Sequence, residues 1–260
     1  MDSLFSRVSF WALQFQALSL DLSSFRQEAT MALRLVFIPT AITLAVTILR
    51  LIGELRHWSS RWFSPETGGI IPSGVSWILG ITWLAAIFGP YFAVRLFHTG
   101  RGPRSLGKAA TFSALGVLIF LVYRPAVESL CAAFNVDFPQ YLILVWFFWA
   151  LAGVLQYFCW PELFKVLLIY AYGARIPVAI VMFFAMLGHW GTHYDYVGTN
   201  IPLSGIPRYL WLAFFPQLVG WIGFTITLGA VAGVLAISII KLSGLLLRSK
   251  IDRIDVNMTS

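Results

Sequence analysis

Long apolar runs separated by short polar stretches set the rhythm of this chain. The runs are 31–53, 74–97, 106–123, 140–160, 162–187 and 217–247. A helix needs about 20 apolar residues to cross a hydrocarbon core of about 30 Å. Five of the runs meet that length and the third falls slightly short. The pattern therefore predicts an all-α fold, a polytopic transmembrane helix bundle of about six spans.

Two stretches do not fit a simple crossing. Leu4, Val8, Trp11, Phe15, Leu18, Leu22 and Phe25 recur at alternating spacings of four and three. That places seven apolar side chains on one helical stripe, so 1–25 reads as an N-terminal amphipathic helix. Such a helix lies flat in the interface or packs on the bundle or a partner. Asp21 to Ser24 interrupts the stripe, and Ser24 with Gln27 makes a capping box from which a new helix would start. The stretch from Ile206 to Pro216 is also apolar and aromatic. Joined to the last run it makes a helix of roughly 60 Å, twice the bilayer core. The expectation is an interfacial helix over 208–215 and a bend at Pro216. The domains are then 1–25, a bundle over 26–247 and a tail over 248–260.

Composition supports this reading. Of 260 residues, 59% are hydrophobic and 11% charged, far below the quarter or so usual in soluble domains. The 11 Trp suit membrane boundaries, where the ring is half apolar and its N–H needs a partner. The net charge of +7 belongs beside apolar runs, so it points to topology and anionic headgroups and away from nucleic acid. With six spans, one side collects Arg7, Arg26, Arg34, Arg95, Arg101, Arg104, Lys108, Lys165, Lys241, Arg248, Lys250 and Arg253. The other collects Arg50, Arg56, Arg61, Arg124 and Arg208. The excess of bases predicts both termini in the cytoplasm, here of a bacterial inner membrane. Cys131 and Cys159 form no spacing ladder and read as small buried hydrophobes.

Candidate chemistry is sparse. Arg175 stands near the centre of the fifth run, where a charge costs roughly 2.5–3.5 kcal/mol on insertion scales. Gly173 and Pro177 flank it, so the run reads as a broken helix whose cation binds an anionic group, with Tyr170 and Tyr172 nearby. The alternative is a structural Arg capped by carbonyls, by those tyrosines or by lipid phosphate. His189 and His193, four apart, would share a helical face at a metal-ligand spacing, and Asp195 could add an oxygen. No motif calls for a cofactor, and a divalent metal at that pair is the one the pattern would accommodate. The alternative is an aromatic, hydrogen-bonding interfacial loop. Gly229 and Gly233 are a small-residue pair in the sixth run, placed for close packing of two helices, within the chain or between copies. Phosphate loops, nucleophile elbows and paired intramembrane carboxylates are missing from the sequence, which leans away from an enzyme.

Tyr-Ala-Tyr-Gly-Ala-Arg-Ile-Pro-Val from Tyr170, followed by His-Trp-Gly-Thr-His-Tyr-Asp from His189, resembles a family of uncharacterised bacterial multi-pass membrane proteins. That resemblance implies a fold and no activity. Phe164-Lys-Val-Leu leading to Tyr170 and Pro177 is similar to the Yip1-type membrane domain, which implies a role in membrane organisation or trafficking. Three functions follow as expectations. The first is a non-enzymatic structural, accessory or organising protein, with the bilayer, a second copy or another membrane protein as partner. The second is a small-solute or anion transporter working at the fifth run. The third is a metal-binding protein or enzyme using His189 and His193.

Overall fold

The computed structural model describes the backbone of residues 2–63, 79–196 and 203–259, with side chains over 26–63, 79–196 and 203–245. Among these residues the chain is helical and has no strand. Helix α1 covers Asp2–Leu55, α2 Leu84–His98, α3 Leu106–Phe134, α4 Tyr141–Cys159 and α5 Pro161–Gly188. A short α6, Gly205–Tyr209, passes through two π-helical stretches, Leu210–Phe214 and Pro216–Gly220, into α7, Trp221–Thr259.

Five helical segments are long and apolar enough to cross a membrane: Arg26–Leu55, Leu106–Phe134, Tyr141–Cys159, Pro161–Gly188 and Gly205–Leu245. Their outer faces carry large bare side chains, such as Phe37 at 72% and Leu121 at 71% exposure. Those faces have no use in water and suit lipid, so the chain is a multi-pass helical membrane protein.

The boundaries differ from the sequence expectation in four places. Helix α1 runs unbroken through Asp21–Ser24, so Ser24 caps no new helix; the side chains of the proposed amphipathic stripe lie outside the described residues. Helix α2 begins at Leu84 rather than near residue 74. Residues 74–78 are outside the described set, and 79–83 form turns around Gly80. Its 15 residues span only about 22 Å. Helix α3 continues well past Tyr123, because the Arg124–Glu128 pair and Pro125 are accommodated on its exposed end. Finally, 205–245 is one apolar helical run of 41 residues, with no break that sets off a separate interfacial helix. The π-helical register absorbs Pro216 by letting Phe215 N–H reach Leu210 and Trp221 N–H reach Pro216.

Relative directions follow from side-chain contacts. Glu28 meets Lys165 at one end of α1 and α5, and Glu54 meets His193 at the other, so these helices run parallel. Ala85 and Gly89 meet Gly229, while Phe97 meets Lys241, so α2 and α7 are also parallel. Helices α3 and α4 are antiparallel, since Ala109 meets Cys159 and Phe120 meets Trp149. The helices therefore alternate in direction along the chain, and Arg26 and Lys241 lie at the same end. Helix α5 and the α7 rod are the most buried spans. Phe92, Leu163, Leu167, Tyr170, Ile226 and Ile237 form the core between them and α2.

Close helix contact depends on missing side chains. A Cβ on Gly89 would stand 2.1 Å from the Gly229 carbonyl oxygen, and one on Gly233 would meet Ala93 and Leu163 at 3.0 Å. The small-residue pair at Gly229 and Gly233 thus serves packing inside the chain, against α2 and α5. A polar seam joins α3 to α4. Buried Gln156 donates to Ala152 O at 3.1 Å and accepts from Ser113 Oγ at 3.4 Å, while Cys159 Sγ donates to Ala109 O.

Candidate functional site

The polar residues of α1 point the wrong way for a lipid-facing helix, and that is what builds the site. Thr43, Thr47, Arg50 and Glu54 recur at spacings of four, three and four, and all are buried. Leu44, Ile48 and Leu49 between them are exposed. The polar stripe therefore faces the bundle, and a low-dielectric interior requires each member to find a partner. Thr43 Oγ1 donates to Pro39 O at 2.8 Å, and Thr47 Oγ1 donates to Thr43 O at 3.0 Å. Thr43 also shares a 2.9 Å hydrogen bond with the Tyr170 hydroxyl of α5.

At the end of the stripe, Arg50 Nε donates to Glu54 Oε1 at 2.9 Å. The Glu54 carboxylate also accepts the backbone N–H of His193 at 2.8 Å and lies 2.8 Å from its ring Nδ1. The side chain of Glu54 is 1% exposed, so this is a desolvated Arg–Glu–His cluster. Next to it, the Tyr194 hydroxyl donates to Thr47 O at 3.2 Å. Burial is the largest influence on His193 and pushes its pKa below the usual imidazole value, while the Glu54 hydrogen bond opposes that shift. Burial likewise pushes the Tyr194 phenol up.

Arg175 lies on α5, 4% exposed. Its Nη1 donates to Gln217 Oε1 at 3.3 Å, and its guanidinium carbon sits 4.8 Å from the Trp221 ring centroid. The Nε is buried and has no hydrogen-bond partner. No carboxylate pairs with it among the described residues. A cavity of about 520 Å³ brings these groups together. Arg50, Arg175, Thr47, His193, Tyr194, Gln217 and Trp221 line it, with the turn over 79–83 and the apolar Val178, Met182, Phe224 and Leu228. No acid is among the described lining residues. Behind the wall, Glu54 offsets Arg50, which leaves the charge of Arg175 uncompensated.

The expected residues divide sharply. Tyr170 is buried beside Arg175, with its hydroxyl held by Thr43. Tyr172 is 39% exposed and does not share the burial of Arg175. Helix α5 itself is continuous through Gly173 and Pro177. One proline removes a single donor, and the rest of the backbone ladder closes within the helix. The irregular backbone lies opposite, in the π-helical stretches that carry Gln217.

His189 and His193 do not share a helical face. Helix α5 ends at Gly188, and His189 adopts a left-handed C-cap with φ of 49°. There its N–H closes onto Ala185 O and its side chain is exposed. His193 instead turns to Glu54. Asp195 accepts from Gly191 N at 2.9 Å, Thr192 N at 2.7 Å and Thr192 Oγ1 at 2.8 Å, so it ties the turn. Among the described residues no three His, Cys, Asp or Glu side chains group as metal ligands.

Arg50, Gln217 and Trp221 were not singled out from the sequence, and Glu54 reads there only as a loop acid. The signal for Arg50 and Glu54 was the buried-polar spacing of 43, 47, 50 and 54. Gln217 gives no such signal, because a lone amide beside a proline is ordinary at a helix start. No known protein family, curated protein or solved structure matches the chain.

Proposed function

We propose that this membrane protein binds and carries a small, singly charged anion in the cavity at Arg175. The observation that carries the reading is a buried guanidinium with an unpartnered Nε, beside a cavity with no acid among its described lining residues. A cation in a bilayer interior costs several kcal/mol unless something offsets it. The Trp221 face contributes about 2 kcal/mol, short of the cost of burying a full charge, and the Gln217 bond at 3.3 Å is long. An anion would supply the remaining partner, with the Gln217 amide Nε2, whose present acceptor is only the Met182 sulfur at 3.5 Å, as a neutral donor to orient it. The cavity's volume suits a small solute. The π-helical backbone beside it supports the carrier reading, since such bulges concentrate at functional sites and yield readily.

In this reading the chain lies in a bacterial cytoplasmic membrane with both termini inside. The alternating helices and the bases gathered at the Arg26–Lys241 end support that orientation. The cavity then belongs to the outer half of the bundle. The organising or accessory role has no comparable local feature in its favour. The Yip1-like stretch from Phe164 to Pro177 is the part that supplies Tyr170 and Arg175 here.

The test is purified protein in neutral-lipid vesicles, assayed for uptake of acetate, lactate, phosphate and sulfate. Melting temperature is read in parallel with each anion. At least one monoanion should be taken up and should raise the melting temperature. Arg175→Gln should abolish both effects, and Arg175→Lys should keep part of the binding. If no anion shifts the wild type, or if Arg175→Gln responds as wild type does, the reading is wrong.

A further inference from the structure

A second basic site lies at the opposite end of the bundle, in the cleft between α1 and α2. Arg26, Thr30 and Arg34 stand at successive four-residue steps on α1. Arg95 and His98 approach from the end of α2, and Tyr91 lies one turn earlier. Together they line a hollow of about 930 Å³ with no Asp or Glu among its described lining residues. None of the three guanidinium groups has a carboxylate partner among the described residues; the nearby Glu28 is taken by Lys165. The two helices touch only sparsely, so side-chain packing does not close the cleft.

The cleft is more than a rim of topology-setting bases. Arg34 stands just inside the apolar run that begins at residue 31, about 12 Å along the axis from Arg26. The hollow is amphipathic from top to bottom. Arginines, Thr30 and His98 supply its polar lining, while Met31, Leu35 and Leu96 form apolar lining. Beside Arg34 and beyond it on α1, Leu33, Phe37 and Ile38 are exposed. A free soluble anion would use the arginines and leave the apolar lining idle. An anionic phospholipid uses both, with its phosphate among the guanidiniums and its acyl chains along α1.

We infer that the α1–α2 cleft is a specific site for an anionic phospholipid, held through its phosphate by Arg26, Arg34 and Arg95. This does not depend on the function proposed for the Arg175 cavity.

Native mass spectrometry of the purified full chain tests it, counting retained phosphatidylglycerol against phosphatidylcholine. Retention should favour phosphatidylglycerol at least ten-fold. Each basic side chain at an anionic surface contributes about five-fold. The Arg26→Gln, Arg34→Gln, Arg95→Gln triple variant should therefore bind about a hundred-fold more weakly. The charge-matched Arg56→Gln, Arg61→Gln, Arg124→Gln variant at the other end should bind as wild type does. Should the first triple variant fail to fold, Arg34→Gln alone should still show the five-fold loss. Equal retention of the two lipids, or equal loss in both triple variants, overturns the site. Displacement of the lipid by inorganic phosphate or by soluble glycerophosphoglycerol at millimolar concentration overturns the lipid assignment in favour of a free-phosphate site.

Discussion

Gly89→Ala offers a direct measure of how tightly this bundle is built. The added Cβ would stand 2.1 Å from the Gly229 carbonyl oxygen and 2.7 Å from its Cα, both backbone atoms that no rotamer change can move. Ordinary contact begins at 3.4 Å, so α2 and α7 must separate by about 1.3 Å. That separation loosens the whole seam, including the Gly233 contacts with Ala93 and Leu163. Overpacking costs about 1–3 kcal/mol, and a clash of backbone with backbone belongs at the upper end. For a chain of this size that corresponds to a melting temperature about 6–12 °C lower. Gly229→Ala should be milder, because its nearest obstacle is the movable Leu167 Cδ2 at 2.4 Å. Gly244→Ala meets nothing within 4 Å and lies in a helix, so it should be neutral or stabilise by up to about 1 kcal/mol. The assay is thermal unfolding of the three purified variants in one detergent, followed by tryptophan fluorescence. The reasoning fails if Gly89→Ala melts with the wild type, or if the order of the three is reversed.

Other consequences can be checked alongside. Glu54→Gln strands a buried Arg50 and should cost about 3–5 kcal/mol, whereas the Arg50→Gln, Glu54→Gln double variant should recover much of that in the same melts. The lowered pKa of His193 means that the folded state holds a neutral ring while the unfolded chain still takes up a proton near pH 6.5. Its contribution is therefore full above about pH 6.5 and is lost as pH falls from there towards the folded value. The stability difference between wild type and His193→Asn should shift in that sense between pH 8 and 5, and a flat difference would count against it. Asp195→Ala leaves the N–H of buried Thr192 unmet and should cost about 1–3 kcal/mol, visible as faster hydrogen exchange in the 189–196 turn. Arg124→Gln breaks only an exposed pair and should leave the melt unchanged.

Hydrophobic runs determined a great deal without coordinates. Lipid accepts only backbone that bonds to itself, so a 260-residue chain this apolar and this poor in charge has to be a helix bundle. The same economy marked Arg175 as significant, because one cation in an apolar run is expensive wherever it ends up. Hydropathy could not locate the helix ends. Apolar residues before Leu84 and after Tyr123 look alike on that scale, yet one stretch turns and the other stays helical. Periodicity also misled at His189 and His193, since a four-residue spacing means a shared face only while the helix lasts, and it stops at Gly188. Which residues meet was left to tertiary structure. Glu54 reads as a loop acid until the parallel packing of α1 on α5 sets it beside His193. Gln217 becomes a partner of Arg175 only because the π-helical rod carries it across the bundle. Burial in lipid is a property of each segment's own side chains and can be read along the chain. The pairing of distant polar groups depends on helix direction, depth and rotation, which no single segment contains.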